Sequence, residues 1–284
     1  MTVPALIDRI KSLLTRAGDD NPDGDTREIL AAILGCKPNE LHRLRDNEAD
    51  EEVCEKALSM AQRRAGGEPI QYIIGSWSFM GREYKVGKGV LIPRDDTEVV
   101  VSQALRLIRH VPRPVGVDLC SGTGIIAITL ERELDGSTVY AVEKSAEAFG
   151  YLTENAALNG SDIKTIHADL KDCADDFADG SLDLLISNPP YICSSDIPTL
   201  QSEVHYEPRL ALDGGESGLD FYEMIIGLWS RKMKNGGVIA LEIGEDQFDD
   251  IAELLGKNGY TDIKGYPDIQ GITRAVTAGL KNNE

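Results

Sequence analysis

The chain has 284 residues, 42% of them hydrophobic and 27% charged, enough for one large domain with a substantial core and a smaller one beside it. Its formal net charge is −19, from 48 acidic against 29 basic residues, and no basic run interrupts that excess. A duplex nucleic acid gripped by its phosphates is therefore disfavoured as a direct substrate, whereas a basic protein partner suits the charge.

Residues 1–74 are predicted to be helical. Thr2 can cap a first helix, with Pro4 in its first turn and Leu6, Ile10, Leu13 and Leu14 on one face. Asp25 is placed to cap a second, in which Ile29, Leu30, Ile33 and Leu34 are apolar and Gly35 closes the run. A third helix runs from Pro38 past Leu41 and Leu44, and a fourth spans 49–65 before Gly66-Gly67. This small bundle carries no catalytic constellation, and its lone His42 reads as a surface or cap residue.

From Ser76 to Ile92 the texture changes to Trp77, Phe79, Tyr84, Val86, Val90 and Ile92, punctuated by Gly81, Gly87 and Gly89, which predicts a β-hairpin. Residues 75–97 are thus expected to link the helical domain to a larger one over 98–284. An aspartate of Asp95-Asp96 is the expected cap of a helix over 97–111.

Beyond Pro114 strands are predicted at 115–119, 138–142, 163–167, 182–186 and 238–243, with helices at 124–134, 146–158, 219–233 and 247–258. Alternation of this kind specifies an α/β fold with a doubly wound, mostly parallel sheet. Two further runs, 261–266 and 272–278, have no helix between them, so one strand of the seven is expected to be antiparallel. The stretch 193–218 is long for a loop, and such loops commonly serve as lids or binding elements.

No apolar stretch approaches the ~20 residues of a membrane span, and Met1-Thr2-Val3-Pro4 lacks a basic region leading into an apolar run, so a cytoplasmic protein is expected. Cys36, Cys54, Cys120, Cys173 and Cys193 are scattered and never paired as C-x-x-C, which reads as reduced thiols with no metal site.

Two segments carry chemistry. Asn188-Pro189-Pro190-Tyr191 follows the largely apolar run of the 182–186 strand, and its prolines stop that strand and keep Asn188 extended at its carboxyl end, where open α/β sheets bind ligands. The tip offers an amide oxygen, main-chain carbonyls and one aromatic face, but no charge. It suits a flat, neutral NH₂ group, whose hydrogens the Asn188 side chain and the Pro189 carbonyl can accept while Tyr191 packs on the plane.

The second segment, Asp118-Leu119-Cys120-Ser121-Gly122-Thr123-Gly124, turns from the first strand of the larger domain into its helix. Its glycines permit a tight turn close to a ligand. Glu143, 19 residues beyond Gly124, is placed for the hydroxyls of a ribose, and Asp169 at the end of the next strand for an adenine amino group. Together these residues describe a nucleoside site. A dinucleotide remains compatible with Gly122-Thr123-Gly124-Ile125-Ile126-Ala127. Asp118, however, offers a carboxylate for a sulfonium cofactor, and with Asn-Pro-Pro-Tyr nearby the combination favours S-adenosylmethionine.

These segments resemble those of the HemK/PrmC glutamine methyltransferases, which methylate the glutamine side-chain amide in the Gly-Gly-Gln motif of peptide chain release factors. The resemblance covers roughly residues 66–278. It includes Gly67-Glu68-Pro69-Ile70-Gln71-Tyr72, Phe79 in the hairpin, Leu91-Ile92-Pro93-Arg94 to Asp96-Thr97-Glu98, the glycine turn, Asn188 to Ile192, and Glu203-Val204 through Glu207-Pro208 to Ala211-Leu212 with Gly214-Gly215. It implies a Rossmann-like class I S-adenosylmethionine methyltransferase fold, with cofactor residues from Cys120 to Gly124, Glu143 and Asn188, and Asn188 to Tyr191 on the glutamine. It also implies that the helical bundle and hairpin grip a release factor; the enzyme is expected to act as a monomer. Cys120 stands where glycine is frequent, Asp95 where proline is common, and Leu170, beside the adenine, where some relatives have an aromatic. Two alternatives stay open at this point: methylation of a ribosomal-protein glutamine, and a cofactor-binding adaptor without chemistry.

Overall fold

A computed structural model of the chain describes residues 1–44 and 46–281. The chain forms two compact units, one of residues 1–76 with 201–206 and one of residues 77–200 with 207–284. In the first, α1 (Val3–Ala17) starts where the Thr2 hydroxyl accepts from the Ala5 amide and stops at Gly18, and its apolar stripe of Leu6, Ile10 and Leu14 is fully buried. Helix α2 (Pro22–Leu34) begins earlier than expected. Asn21 caps it through the Gly24 amide at 3.2 Å and Pro22 takes the first position, which proline favours. Asp25, the expected cap, lies inside the helix instead, because its carboxylate is needed by a buried arginine.

That arginine is Arg64 on α3 (Glu51–Ala65), which Asp50 caps. Its guanidinium meets Asp25, Asp19 at 2.8 Å and Glu203 at 2.6 Å. A buried cation requires such partners. Glu203, together with the Tyr206 hydroxyl donating to the Gly66 carbonyl at 3.1 Å, brings residues 201–206 into this unit across more than a hundred residues of sequence. Residues Pro38–Leu44 form a 3₁₀ helix, and a short helix not anticipated from the pattern, α4 (Ile70–Ile74), closes the unit.

The hairpin is shorter than predicted, β1 (Ser76–Phe79) and β2 (Arg82–Lys85), and residues 86–96 run irregularly into α5 (Thr97–Ile108). Asp96 does not cap α5. Its own backbone is already helical, and its carboxylate pairs with Arg274 at 3.3 Å.

Seven strands follow: β3 (Val115–Leu119), β4 (Thr138–Glu143), β5 (Lys164–His167), β6 (Leu182–Ser187), β7 (Met233–Glu242), β8 (Tyr260–Pro267) and β9 (Thr273–Leu280). They lie in the order β5-β4-β3-β6-β7-β9-β8, and β9 alone runs opposite to the other six. Helices α6 (Ile125–Glu133), α7 (Ala146–Leu158), α8 (Asp220–Trp229) and α9 (Phe248–Lys257) join them. Every residue of β6 is buried, which accounts for its largely apolar sequence, and Asp183, the one charge in it, is met by the Val115 amide at 2.9 Å and Lys234 at 2.6 Å.

One core packs Val100, Ala104, Ile128 and Ile186; a second packs Leu119, Leu185, Trp229 and Ile251. Helix α8 stops at Trp229, short of the predicted end, and β7 starts at Met233, ahead of Val238. An irregularity between Leu182 and Leu184 of β6 lets Met233 join the ladder before Lys234-Asn235-Gly236-Gly237. Strand order reverses between β3 and β6, the switch point at which such sheets bind ligands. No helix among the described residues is long and apolar enough to cross a membrane.

Candidate active site

Parallel pairing sets the site. Leu119 of β3 lies beside Ser187 of β6 and beside Val142 of β4, and Glu143 beside His167 of β5. The segments leaving these strands therefore emerge side by side, about 4.8 Å apart per strand. They line a cavity of about 210 Å³.

Of the residues singled out in the sequence, Cys120, Ser121, Gly122, Thr123, Glu143, Asp169, Leu170, Asn188 and Pro190 form its wall. Asp118, Gly124, Pro189 and Tyr191 do not line this cavity. Asp118 is fully buried, and its Oδ2 accepts from the Ala127 amide at 3.2 Å, tying β3 to α6. Its Oδ1 has no partner, and burial pushes the carboxyl up to about 8. Gly124 acts through packing: a Cβ there would stand 2.5 Å from Leu152 Cδ1, and its φ is +83°. Tyr191 is half-buried. Its ring packs against the second core, burial pushes its phenol up, and its carbonyl accepts from Gln247 Nε2 at 3.0 Å.

Glu143 builds the floor. One carboxylate oxygen accepts from the Gly122 amide at 2.8 Å and the other from the Ser145 amide at 2.7 Å, so the glycine turn is fixed before any ligand arrives. Lone pairs remain for hydroxyl donors. For Asp169, burial works to raise the carboxyl, but hydrogen bonds from Lys144 at 2.9 Å and the Lys171 amide leave it below its ordinary value. Trp229 Nε1 donates to the Leu170 carbonyl at 3.1 Å from behind.

This set of acceptors fits a nucleoside on a sulfonium. Two carboxylates sit at the ends of β4 and β5, among apolar walls of Ile126, Val142, Leu170, Phe221 and Met224. It does not fit the pyrophosphate of a dinucleotide, because the Gly122 amide that would bind a phosphate is held by an anion. Glu143, Asp169, Leu170 and the turn from Cys120 to Thr123 are the groups that would hold S-adenosylmethionine.

The opposite wall is Leu91-Ile92-Pro93-Arg94 with Pro208, Leu210 and Ala211. Glu207, 6% exposed, clasps its two parts: its carboxylate accepts from the Ile92 amide at 2.9 Å and from the Arg94 guanidinium. Gly214 braces the Asn-Pro-Pro-Tyr tip, its amide donating to the Ile192 carbonyl at 2.8 Å. At the tip itself the Asn188 Nδ2 donates to Thr97 Oγ1 at 3.3 Å, and the Thr97 hydroxyl donates to Glu242 at 2.6 Å.

Sequence reasoning assigned no role to Thr97, Glu207 or Glu242. The first two lie within the segments that carried the resemblance. Glu242 left one trace, an acid closing an otherwise apolar strand.

Two family models match the chain, the PrmC N-terminal domain over residues 5–75 and the methyltransferase small domain over residues 102–203. The release factor glutamine methyltransferase of Geobacter sulfurreducens is 35% identical over 276 residues, 97% of this chain and 95% of its own length. That of Aquifex aeolicus is 34% identical over 270 residues, 95% of each chain. Among solved structures, a methyltransferase from Pyrococcus furiosus superposes with a TM-score of 0.52 at 18% identity, over 72% of this chain and 92% of its own, a likeness of fold.

The chain is therefore a class I S-adenosylmethionine-dependent methyltransferase. Identity along nearly the whole length of those relatives narrows the class further. The chain belongs to the release factor glutamine methyltransferase family.

Proposed function

We infer that the chain transfers a methyl group from S-adenosylmethionine to the side-chain amide nitrogen of the glutamine in the Gly-Gly-Gln motif of peptide chain release factors. The observation that carries this reading is the Asn188 carboxamide, tied by its nitrogen to Thr97 so that its oxygen is left for a donor at the cofactor's edge of the sheet. When bound, the cofactor supplies an electrophilic methyl group on a positively charged sulfur.

An amide nitrogen is a poor nucleophile, since its lone pair is delocalised into the carbonyl. The work of the protein is then alignment and exclusion of water, to which near-attack positioning can contribute up to ~7–11 kcal/mol. Asn188 Oδ1 and the Pro189 carbonyl accept the two hydrogens of the substrate NH₂ and aim its lone pair. Pro190 places no N–H beside that carbonyl to compete. Hydrogen bonds of this kind strengthen as the nitrogen becomes more pyramidal, which favours the transition state over the bound amide. No general base is needed, because the methylated nitrogen is acidic enough to lose its proton to water.

Residues 1–74 and the hairpin linker 75–97 take the role of gripping the release factor, and 98–284 that of the catalytic domain. The chain acts as a monomer in the cytoplasm, without direct contact to nucleic acid.

Mass analysis tests this: incubated with cofactor and chain, a release factor gains one methyl group, confined to the Gly-Gly-Gln peptide. Asn188→Ala lowers turnover by roughly 10²-fold while cofactor affinity changes little. An unmodified release factor peptide, or a ribosomal-protein glutamine labelled in its place, would overturn the substrate assignment.

A further inference from the structure

The three-atom chain behind the tip has a polarity. Thr97 and Glu242 are each 1% exposed, so no bulk water supplies alternative partners. A hydroxyl owns a single hydrogen. While that hydrogen goes to an ionised Glu242, Thr97 Oγ1 can only accept, and the Asn188 carboxamide must turn its NH₂ inward and its oxygen toward the pocket. A protonated Glu242 would donate to Thr97 instead and release the hydroxyl hydrogen for Asn188. The last torsion of asparagine is soft. The carboxamide would then turn its oxygen inward and present NH₂ to a substrate NH₂, a donor facing a donor.

We propose that Thr97 and Glu242 are positioning residues, and that the charge state of Glu242 decides which end of the Asn188 carboxamide faces the substrate. The proposal rests on the reading of Asn188 as the acceptor of the substrate amide.

The surroundings of Glu242 place this switch in the working range. Burial is the largest influence and pushes its carboxyl up to about 7, against the hydrogen bond from Thr97. Asp96, just ahead of α5, adds to the rise, while Arg94 and Arg274 oppose it. Both arginines are engaged elsewhere, Arg94 with Glu207 and Arg274 with Asp96 and Asp268 at 3.3 Å each. From α8 the Tyr222 hydroxyl lies 2.8 Å from the Glu242 carbonyl and 3.5 Å from Gln247 Oε1, and it does not bond the Glu242 carboxylate. Tyr191, beyond β6, is the remaining titratable neighbour, and its phenol is neutral.

The test is the pH profile of kcat at saturating release factor and cofactor, with cofactor Kd measured separately at each pH. In the wild type kcat falls about tenfold per pH unit below an inflection near 7, and Kd stays level. Glu242→Gln removes that acid limb and lowers the plateau by roughly tenfold or more, since a carboxamide supports both orientations. Thr97→Ala does the same with KM within about threefold, and Thr97→Ser restores both plateau and limb.

A wild-type kcat that is level between about pH 6 and about pH 8, an acid limb that survives in Glu242→Gln, or full turnover in Thr97→Ala would each overturn the proposal. The Thr97 pair and the wild-type profile decide the matter even if Glu242→Gln does not fold. Full turnover in Asn188→Ala would instead overturn the role of Asn188 itself, so the two failures are told apart.

Discussion

Substituting Gly214 by alanine should disable the tip from outside the cavity. A Cβ at this position would stand 2.7 Å from Tyr191 Cα, 2.8 Å from the Tyr191 carbonyl carbon and 2.9 Å from the Pro190 oxygen. All three are main-chain atoms, so no side chain can swing aside. Carbon atoms rest at ~3.5 Å or more, and relieving the 2.7 Å contact requires the tip to move by about 0.8 Å. Movement on the other side is restrained, because residue 214 is itself tied to the Ile192 carbonyl and residue 192 to the Leu212 carbonyl.

A displacement near 1 Å at a reacting group costs on the order of 10²-fold in rate, and overpacking costs about 1–3 kcal/mol in stability. Gly214→Ala is therefore expected to lower kcat about 10²-fold on a release factor, with a modest fall in melting temperature and cofactor Kd within about threefold of wild type. The groups proposed to hold the cofactor, Gly122, Glu143 and Asp169, lie at or just beyond the ends of β3, β4 and β5 and do not share the clash. Gly150→Ala serves as the control, since nothing lies within 4 Å of a Cβ at that helical position. A folded Gly214→Ala enzyme turning over within threefold of wild type would refute the reasoning.

Glu207→Ala leaves the buried Ile92 amide and the Arg94 guanidinium without their acceptor and should cost about 2–3 kcal/mol in chemical denaturation, with weaker cofactor binding; an unchanged midpoint would contradict this. Asp118 at about 8 and Glu242 at about 7 both bind a proton in the folded chain that the unfolded chain releases near pH 4. The sign is the reverse of an ordinary paired carboxylate. Stability should fall as pH rises from about 4, by roughly 1 kcal/mol per pH unit for each group, up to about 7 for Glu242 and about 8 for Asp118, and Asp118→Asn should flatten that slope; parallel slopes would exclude it. With a net charge of −19 the chain should attract a basic release factor, so kcat/KM at low substrate should decline as salt is raised, and a level salt profile would rule out steering.

Much of the fold was written in local pattern. The largely apolar run of β6, the glycine turn after β3 and the missing helix between β8 and β9 were enough to predict a parallel sheet with one reversed strand. What escaped were features decided by partners distant in the chain. Asp25 looks like a cap and Asp96 looks like a cap, yet each is drawn away by an arginine, Arg64 in one case and Arg274 in the other. Residues 201–206 join the helical unit through Glu203 and Tyr206, which no local pattern marks.

At the site, the residues that leave strand ends were readable because topology fixes where they emerge. The orientation of their side chains was not. Asp118 turns to the Ala127 amide and Tyr191 to the core, while Thr97 and Glu242, 145 residues apart, meet behind Asn188.

Cys120 carries a consequence for inhibitor chemistry. It takes a left-handed backbone conformation, φ +59°, where glycine would be unstrained, and it lines the cavity proposed to hold the cofactor. Burial, reinforced by the carboxylates of Glu143 and Asp118, drives that thiol far above its ordinary value. Thiolate is the reactive form. A nucleoside armed with an electrophile for this sulfur should therefore react slowly, and blockers of this pocket gain more from shape and hydrogen bonding than from the thiol.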